Sequence, residues 1–304
     1  MNVLLTGVTG YVGSLLVNRL AADGHTLRGF ARNPARAPAA IEVVAGDAVS
    51  GAGLERALAG IEVAYFLIHS MEPTADGPFA SRERTAAERF AAAAVNAGVQ
   101  RIVYLGGLLP AGGPKSAHLA SRLEVERILL SASPCSVAFR ASIVIGAGSR
   151  SFRFLVRLVE RLPVLALPGW HEHRTSPIDE RDMVQLLAHA ATAANLCGQS
   201  LDVGGPDTVS YGALIDRIRH HMLVDRPTLR FKRLTVTPIA SRIAALIAGE
   251  EHELIGPLME SLEHDLLPRD GRAAQLLQVR LHSLDAAIEH ALRDWESREQ
   301  LAAR

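Results

Sequence analysis

Short apolar runs alternate with longer amphipathic segments through the first half of the chain, and this alternation predicts strands separated by helices. The predicted strands cover residues 3–6, 26–31, 41–45, 63–68, 102–105 and 136–140. The predicted helices between them cover residues 11–22, 54–58, 81–97 and 116–130. Strands joined by crossover helices form a parallel sheet with both faces covered. The pattern therefore predicts a doubly wound α/β fold.

The second half of the chain has fewer strands and longer helical segments. It predicts helices over residues 151–162, 183–194 and 211–222, a strand over 200–203, and a largely helical chain from residue 239 onward. In open α/β sheets, ligands bind beyond the carboxyl ends of the strands. We expect residues 151–304 to complete the sheet and to add a small, mostly helical lobe on the substrate side, in one structural unit with residues 1–150.

Composition and charge narrow the classes of function. The 304 residues are 48% hydrophobic and 21% charged, which predicts a folded chain with a sizeable core. The 32 basic and 32 acidic residues balance, so nucleic acid is not expected as a partner. No apolar run reaches the roughly 18 residues of a membrane span. The chain has two cysteines, Cys135 and Cys197, and their spacing is not that of metal ligands. So few cysteines argue against a disulfide scaffold and favour a reducing, cytoplasmic compartment.

A glycine-rich loop follows the first predicted strand and opens the first predicted helix. Gly7 permits a tight turn, Gly10 lets the backbone approach a pyrophosphate, and Gly13 allows close packing of helix on strand. The start of the helix offers free N–H groups and a partial positive charge. The loop predicts a dinucleotide-binding Rossmann core over residues 1–150. Its candidate contacts are Gly7, Thr9, Gly10, Tyr11, Val12 and Gly13.

The end of the second strand distinguishes the two nicotinamide cofactors. An acidic residue there would bind the ribose 2′-hydroxyl of NAD(H), but the sequence has Ala31-Arg32-Asn33-Pro34. Arg32 can pair a 2′-phosphate in two parallel hydrogen bonds, so NADP(H) is favoured over NAD(H). The alternative for Arg32 is a solvated surface arginine.

Further candidate contacts to the cofactor follow the third and fourth strands. Asp47, with Ala48, is placed to meet the adenine ring, and a turn or helix-capping aspartate is the alternative. Ile68, His69 and Ser70 follow the fourth strand, where the ribose and phosphates of the cofactor would pass.

These features resemble the short-chain dehydrogenase/reductase superfamily, in particular its extended and atypical branches, which include NmrA-like proteins. The resemblance also rests on the segments 101–107, 139–146 and 176–182, and on the segment 256–262, which is similar to an atypical bacterial epimerase/dehydratase-like subgroup. It implies contacts to the nicotinamide half of the cofactor. The residues concerned are Gly106, Gly107, Arg122, Ala141, Ser142 and Ile143.

The catalytic set of that family is incomplete here. The family has a Ser at the end of strand five and Tyr-x-x-x-Lys on the next helix, whereas this chain has Gly106-Gly107, with His118 at the Tyr position and Arg122 at the Lys position. In one interpretation His118 replaces the tyrosine as the acid/base and Arg122 holds the ribose. In the other, the catalytic set is lost and the chain binds a dinucleotide without turnover.

Other polar residues have two interpretations each. Arg140 and Arg174 are candidate substrate contacts, and the alternative for Arg140 is a buried ion pair that braces the sheet. His171 and His173 flank Glu172, but no third and fourth ligands are evident, so no metal is predicted. The loop 106–116 is either a lid or a flexible connector.

The leading hypothesis is an NADP(H)-dependent oxidoreductase or epimerase/dehydratase-like enzyme that acts on a small organic substrate. The alternative is a non-catalytic dinucleotide sensor or assembly factor of the NmrA-like kind, which the missing Ser and Tyr favour. A homodimer formed through the helices that begin near residues 81 and 116 is possible by analogy with the family.

Overall fold

A parallel sheet of seven strands forms the centre of the molecule, which is described by a computed structural model over residues 1–68, 79–231 and 262–299. Strands are numbered in chain order. Their order across the sheet is β3 (Glu42–Ala45), β2 (Thr26–Ala31), β1 (Asn2–Thr6), β4 (Val63–Phe66), β5 (Arg101–Gly107), β6 (Val137–Ala141) and β11 (Gln199–Val203). The order of strands reverses beside β1, and this is the point where doubly wound sheets bind ligands. The predicted fold class is confirmed.

Helices cover both faces of the sheet because successive residues of each strand point to opposite sides. They are α1 (Tyr11–Ala22), α2 (Leu54–Leu58), α3 (Phe79–Asn96), α4 (Ala117–Ala132), α5 (Arg150–Arg161), α6 (Glu180–His189), α7 (Tyr211–His221), α8 (Arg272–Leu276) and α9 (Leu284–Glu296). On β1, Val3 and Leu5 pack towards α1 and α6, and Leu4 packs towards α2, α3 and α4. None of the helices in the described ranges is long and apolar enough to cross a membrane.

Six short strands form three separate pairs beyond the main sheet. They are β7 (Val144–Ile145), β8 (Leu165–Leu167), β9 (Arg174–Thr175), β10 (Ile178–Asp179), β12 (Val209–Ser210) and β13 (Thr228–Arg230). β10 pairs with β7, β12 with β9, and β13 with β8. One hydrophobic core lies on each face of the main sheet. A further core lies among α5, α7 and α9, and its buried side chains include Phe152, Phe154, Ile288 and Trp295.

Several predicted boundaries shift in the structure. α6 begins at Glu180 rather than at residue 183, because the Asp179 carboxylate accepts a hydrogen bond from the Arg181 N–H and caps the helix. β5 extends through Gly107, which leaves 108–116 as the loop. Two-residue strands are too short to produce a periodic pattern, so the sequence did not predict β7, β9, β10 and β12. Of the helical tail expected from residue 239, residues 239–261 and 300–304 lie outside the described residues.

The two cysteines correct one expectation. The sequence argued against a disulfide scaffold and favoured a reducing compartment, but Cys135 and Cys197 are joined by one disulfide across 62 residues. Cys135 comes just before β6 and Cys197 just before β11. These strands are parallel neighbours, with Gln199 opposite Val137, so the two preceding loops meet at one edge of the sheet. Spacing along the chain does not reveal this proximity.

Candidate dinucleotide-binding and active site

The loop after β1 has little or no room for a side chain at its three glycine positions. Gly7 has a φ of +66°, and a Cβ atom there would lie 2.5 Å from the carbonyl oxygen of Leu67. A Cβ atom on Gly10 would lie 3.1 Å from the carbonyl oxygen of Gly7, and one on Gly13 would overlap that same oxygen. The loop is therefore a bare-backbone cradle of the kind that receives a pyrophosphate.

The end of β1 is tied to the end of β4. The Thr6 hydroxyl donates to the Tyr65 carbonyl at 3.0 Å and accepts from the Leu67 N–H at 3.1 Å. Gly10 caps α1 without a side-chain hydrogen bond, and the first turn of the helix carries no acidic residue. The N–H groups and the positive end of the helix dipole are thus available to an anion, so the residues present fit the phosphates of a dinucleotide.

Arg32 lies exposed directly after β2, where an adenosine ribose would lie. The Asn33 carboxamide accepts a hydrogen bond from the Ala35 N–H and starts a 3-10 turn at Pro34–Arg36. Arg28 lies elsewhere, because its guanidinium donates to the carbonyls of Ala57 and Ala59. This geometry leaves Arg32 and Arg36 as the basic residues that follow β2.

The residues after β3 and β4 are only partly described. The Asp47 carboxylate accepts from the Val49 N–H at 2.9 Å and closes a turn, and Ala48 is buried. The turn role weighed for Asp47 is thus present, and its contact with adenine stays a prediction. Ile68 is half-buried, whereas the predicted contacts His69 and Ser70 lie outside the described residues.

β5 ends in two glycines that have different surroundings. A Cβ atom on Gly106 would lie 2.9 Å from the Tyr104 ring, whereas one on Gly107 would make ordinary contact with Leu119 at 3.8 Å. Tyr104 is buried, as the sequence predicted, and its hydroxyl donates to the carbonyl of Arg122. The glycine at position 106 therefore accommodates a neighbouring ring.

His118 lies in the first turn of α4, which Ser116 caps by accepting a hydrogen bond from the Leu119 N–H. Its imidazole is half-buried, and its ring centroid lies 6.1 Å from that of Phe79. Burial lowers the pKa of His118 below its ordinary value of 6.5. The imidazole is therefore neutral at pH 7.

Arg122 is buried between α3 and α4, one helical turn after His118. Its Nη2 lies 3.1 Å from Oε1 of Glu83, and Oε2 of Glu83 accepts from the Ser121 hydroxyl at 2.7 Å. Burial lowers the pKa of the guanidinium, and the carboxylate at contact distance holds its positive charge. Sequence reasoning missed Glu83, because nothing in the sequence pairs α3 with α4.

Arg140 occupies the buried ion pair that was one of its two interpretations. Its guanidinium donates to both carboxylate oxygens of Glu126 on α4, at 2.8 and 2.6 Å. Its Nη1 lies 3.8 Å from Oδ1 of Asp202 on β11, and Arg269 binds the same aspartate. These contacts brace α4 against the sheet, and a contact between Arg140 and a substrate stays a prediction.

The predicted nicotinamide segment 141–143 is fixed by its neighbours on both sides. The Ser142 N–H donates to the Val203 carbonyl, and the Ile178 N–H donates to the Ile143 carbonyl. The Ser142 and Thr175 hydroxyls lie 2.9 Å apart and are buried. Ala141 accepts a hydrogen bond from the Leu108 N–H, so the segment is anchored to the loop after β5.

Arg174, the other candidate substrate residue, is exposed and forms a salt bridge. Its guanidinium donates to the Asp265 carboxylate at 3.0 and 3.1 Å. His173 approaches the same carboxylate at 3.6 Å, whereas the His171 imidazole bonds to the Pro168 carbonyl. Within residues 1–68, 79–231 and 262–299, no group of three or more His, Cys, Asp or Glu side chains is placed to hold a metal ion.

A protein-family comparison matches the N-terminal part of the chain. Residues 7–129, from the glycine loop to α4, match a family model described as NAD(P)H-binding. The match spans the phosphate cradle and the helix that carries His118 and Arg122.

Curated relatives and solved structures extend the likeness over the whole chain. The chain is 28% identical over 303 residues to (4-alkanoyl-5-oxo-2,5-dihydrofuran-3-yl)methyl phosphate reductase of Streptomyces griseus, covering 97% of this chain and 96% of the relative. It is 29% identical over 167 residues to a ceramide reductase of Caulobacter vibrioides, which is 54% of this chain and 52% of that protein. Its fold is similar to that of UDP-glucuronic acid 4-epimerase from Bacillus cereus in complex with UDP-glucuronic acid and NAD. The TM-score is 0.73 at 16% identity, over 98% of this chain and 99% of the epimerase.

Proposed function

We propose that this chain, which carries an NAD(P)H-binding Rossmann domain of the atypical short-chain dehydrogenase/reductase family, is an NADP(H)-dependent reductase of a small organic substrate. The observation that carries the proposal is the cradle of Gly7, Gly10 and Gly13 at the start of α1, where no side chain caps the helix. The similarity to a reductase along 97% of the chain supports reduction rather than epimerisation or dehydration.

The preference for NADP(H) rests on the basic residues after β2. Arg32 is exposed at the position where NAD-binding Rossmann domains carry an acidic residue, and Arg36 lies one turn further on. A guanidinium binds a 2′-phosphate through paired, charge-assisted hydrogen bonds that a ribose hydroxyl cannot match. Losing such a contact typically costs about 1.5–3 kcal/mol, or roughly ten- to hundredfold in affinity.

When bound, the reduced nicotinamide supplies a hydride to an electrophilic carbon of the substrate. The anchored segment 141–143 orients the nicotinamide half of the cofactor, and the proton that completes the reduction comes from the side of α4. The neutral His118 ring carries one N–H that it can donate to the developing oxyanion, and solvent then restores that proton. Arg122 supplies the positive charge that the family's Lys supplies, and Glu83 fixes its position.

The first experiment is a calorimetric titration with NADPH and with NADH. The wild type, Arg32→Ala and the surface control Arg127→Ala are compared, because Arg127 is exposed on α4 away from β2. We expect the wild type and the control to bind NADPH more tightly than NADH, and Arg32→Ala to lose that difference. Equal binding of both cofactors by the wild type would contradict the NADP(H) assignment.

The second experiment tests turnover. NADPH oxidation is followed with the butenolide phosphate named for the Streptomyces relative and with a panel of small ketones and enones. His118→Asn should lower kcat by about 10²–10⁴-fold at an unchanged affinity for NADPH, as expected when a proton donor is removed. If the chain binds NADPH but oxidises it with none of these compounds, the non-catalytic sensor becomes the better hypothesis.

A further inference from the structure

A cluster of three polar side chains, with a buried glutamate between a half-buried tyrosine and a half-buried histidine, joins the phosphate loop to α9. Tyr11, the first residue of α1, donates its phenolic hydrogen bond to Oε2 of Glu180, the first residue of α6. Oε1 of Glu180 lies 3.2 Å from Nε2 of His290 on α9. The three residues come from distant parts of the sequence, and the carboxylate between them is 7% exposed.

The backbone around this cluster is shaped to admit it. A Cβ atom on Gly146 would overlap the Tyr11 hydroxyl and the Glu180 carboxylate, and one on Gly148 would lie 2.5 Å from the Tyr11 ring. Glycine at both positions lets the tyrosine reach from the phosphate loop across the loop after β7. Tyr11 therefore connects the first turn of α1 directly to an ionisable pair.

The fixed charges near the pair largely satisfy one another. On α6, Arg181 binds Asp179 at 2.6 Å, and at the end of α9, Arg298 binds Asp294 at 2.9 Å. Arg293 on α9 pairs with Glu289. The titratable and charged groups that face the pair from these elements and from α1 are Tyr11, Asp179, Arg181, Arg293, Asp294 and Arg298. Glu180 and His290 are therefore the groups of this cluster that can gain or lose a proton near neutral pH.

The pKa values of Glu180 and His290 are both shifted towards the form in which the group is neutral. Burial, assisted by Asp294, raises the pKa of Glu180 to about 7, and burial, assisted by Arg181, lowers the pKa of His290. Below neutral pH the pair holds one proton and has no net charge, and above it the pair is a bare carboxylate beside a neutral imidazole.

We propose that binding of a dinucleotide at the first turn of α1 is coupled, through the charge of its phosphates, to uptake of a proton by the Glu180–His290 pair, which Tyr11 separates from the cradle. The inference rests on the proposed function, since it needs a pyrophosphate in the cradle. A bound pyrophosphate places negative charge one tyrosine side chain away from the carboxylate, and this charge disfavours the ionised pair. The proton is therefore held more tightly in the complex than in the free protein.

The sign of the effect follows from linkage. A group whose pKa rises on binding takes up a proton, so the cofactor affinity is highest below the pKa of the free pair and falls as the pH rises through it. A rise of one pKa unit corresponds to a loss of affinity that approaches about tenfold once the pH is well above both pKa values. NADH is the cleaner probe, because the 2′-phosphate of NADPH itself titrates near pH 6, as phosphate monoesters do.

The test is calorimetric titration of the full chain with NADH from pH 6 to pH 8.5, in two buffers of different ionisation enthalpy. We expect the wild type to take up a fraction of a proton per NADH near pH 7 and to lose up to about tenfold in affinity across the range. Glu180→Gln should remove both effects. Glu289→Gln, an exposed carboxylate on the same helix as His290, is the matched control and should retain both.

A second variant separates coupling from simple packing. Tyr11→Phe keeps the ring but removes the hydrogen bond to the carboxylate, so the fall in affinity should move to higher pH without disappearing. His290→Asn is the reserve variant if Glu180→Gln does not fold, and it should also reduce the uptake. Wild-type binding with no proton uptake overturns the coupling while leaving dinucleotide binding intact. A complete lack of dinucleotide binding overturns the proposed function and the coupling together.

Discussion

The Arg122 guanidinium lies 3.1 Å from the Glu83 carboxylate in the interface between α3 and α4, and both side chains are almost wholly buried. A cation in such a position is tolerated because its partner compensates it, and removing one member of a buried pair leaves an uncompensated charge. The pair thus ties the helix that carries His118 to its neighbour on the same face of the sheet.

Glu83→Gln should destabilise the fold by about 3–5 kcal/mol, because the Arg122 charge would stay buried without its counter-charge. Urea unfolding followed by circular dichroism measures the change in the free energy of unfolding. The double variant Glu83→Gln/Arg122→Met removes both charges and should recover most of the loss. If Glu83→Gln, Arg122→Met and the double variant are equally unstable, packing rather than charge accounts for the effect.

Gly13→Ala should abolish dinucleotide binding, because the added methyl group would overlap the carbonyl oxygen of Gly7 and push α1 away from the cradle. The overpacked contact should also cost about 1–3 kcal/mol of stability. Gly271→Ala is the control, since a Cβ atom there meets nothing within 4 Å. Calorimetric titration with NADPH checks the prediction, and unchanged binding by Gly13→Ala would mean that the cofactor does not occupy this loop.

The fold was largely predictable from the sequence, and the candidate site only in part. The bounds of α1, β2 and α2 agree with the prediction, because Asp23-Gly24, Asn33-Pro34 and Gly53 punctuate clear periodic patterns. The phosphate cradle was visible because its glycines are local in sequence. Glu83, Glu126 and Glu180 were not predicted as partners of Arg122, Arg140 and Tyr11, since each contact joins elements that only the tertiary packing brings together.

The two glycines at the end of β5 should respond differently to serine. Gly107→Ser places its Cβ atom at 3.8 Å from Leu119, so the variant should fold like the wild type and add a hydroxyl at the end of β5. Gly106→Ser brings a Cβ atom within 2.9 Å of the buried Tyr104 ring and should cost about 1–3 kcal/mol. Thermal unfolding separates the two, and equal melting temperatures would show that the ring moves aside without cost.

The half-buried His118 should make stability depend on pH. Its pKa in the folded chain is lower than its ordinary value of 6.5, so the unfolded chain binds more protons as the pH falls. The contribution to stability is therefore fully present above about pH 6.5 and is lost as the pH falls through the folded pKa. Urea unfolding at pH 7.5 and pH 5 should show a smaller loss for His118→Asn than for the wild type, and an equal loss would place the imidazole in water.

The Cys135–Cys197 disulfide should stabilise the chain, because it closes a loop of 62 residues in the unfolded state. Loop-closure entropy for that length corresponds to about 4 kcal/mol, and native-state strain reduces this figure. Cys135→Ser and treatment of the wild type with a thiol reductant should lower the melting temperature by similar amounts. Ser136→Ala is the control, because it removes a neighbouring buried hydroxyl and leaves the disulfide intact. Intact mass before and after alkylation supplies the independent measurement. Two alkylated cysteines in the unreduced protein would show that the thiols stay reduced, and reductant should then leave the melting temperature unchanged.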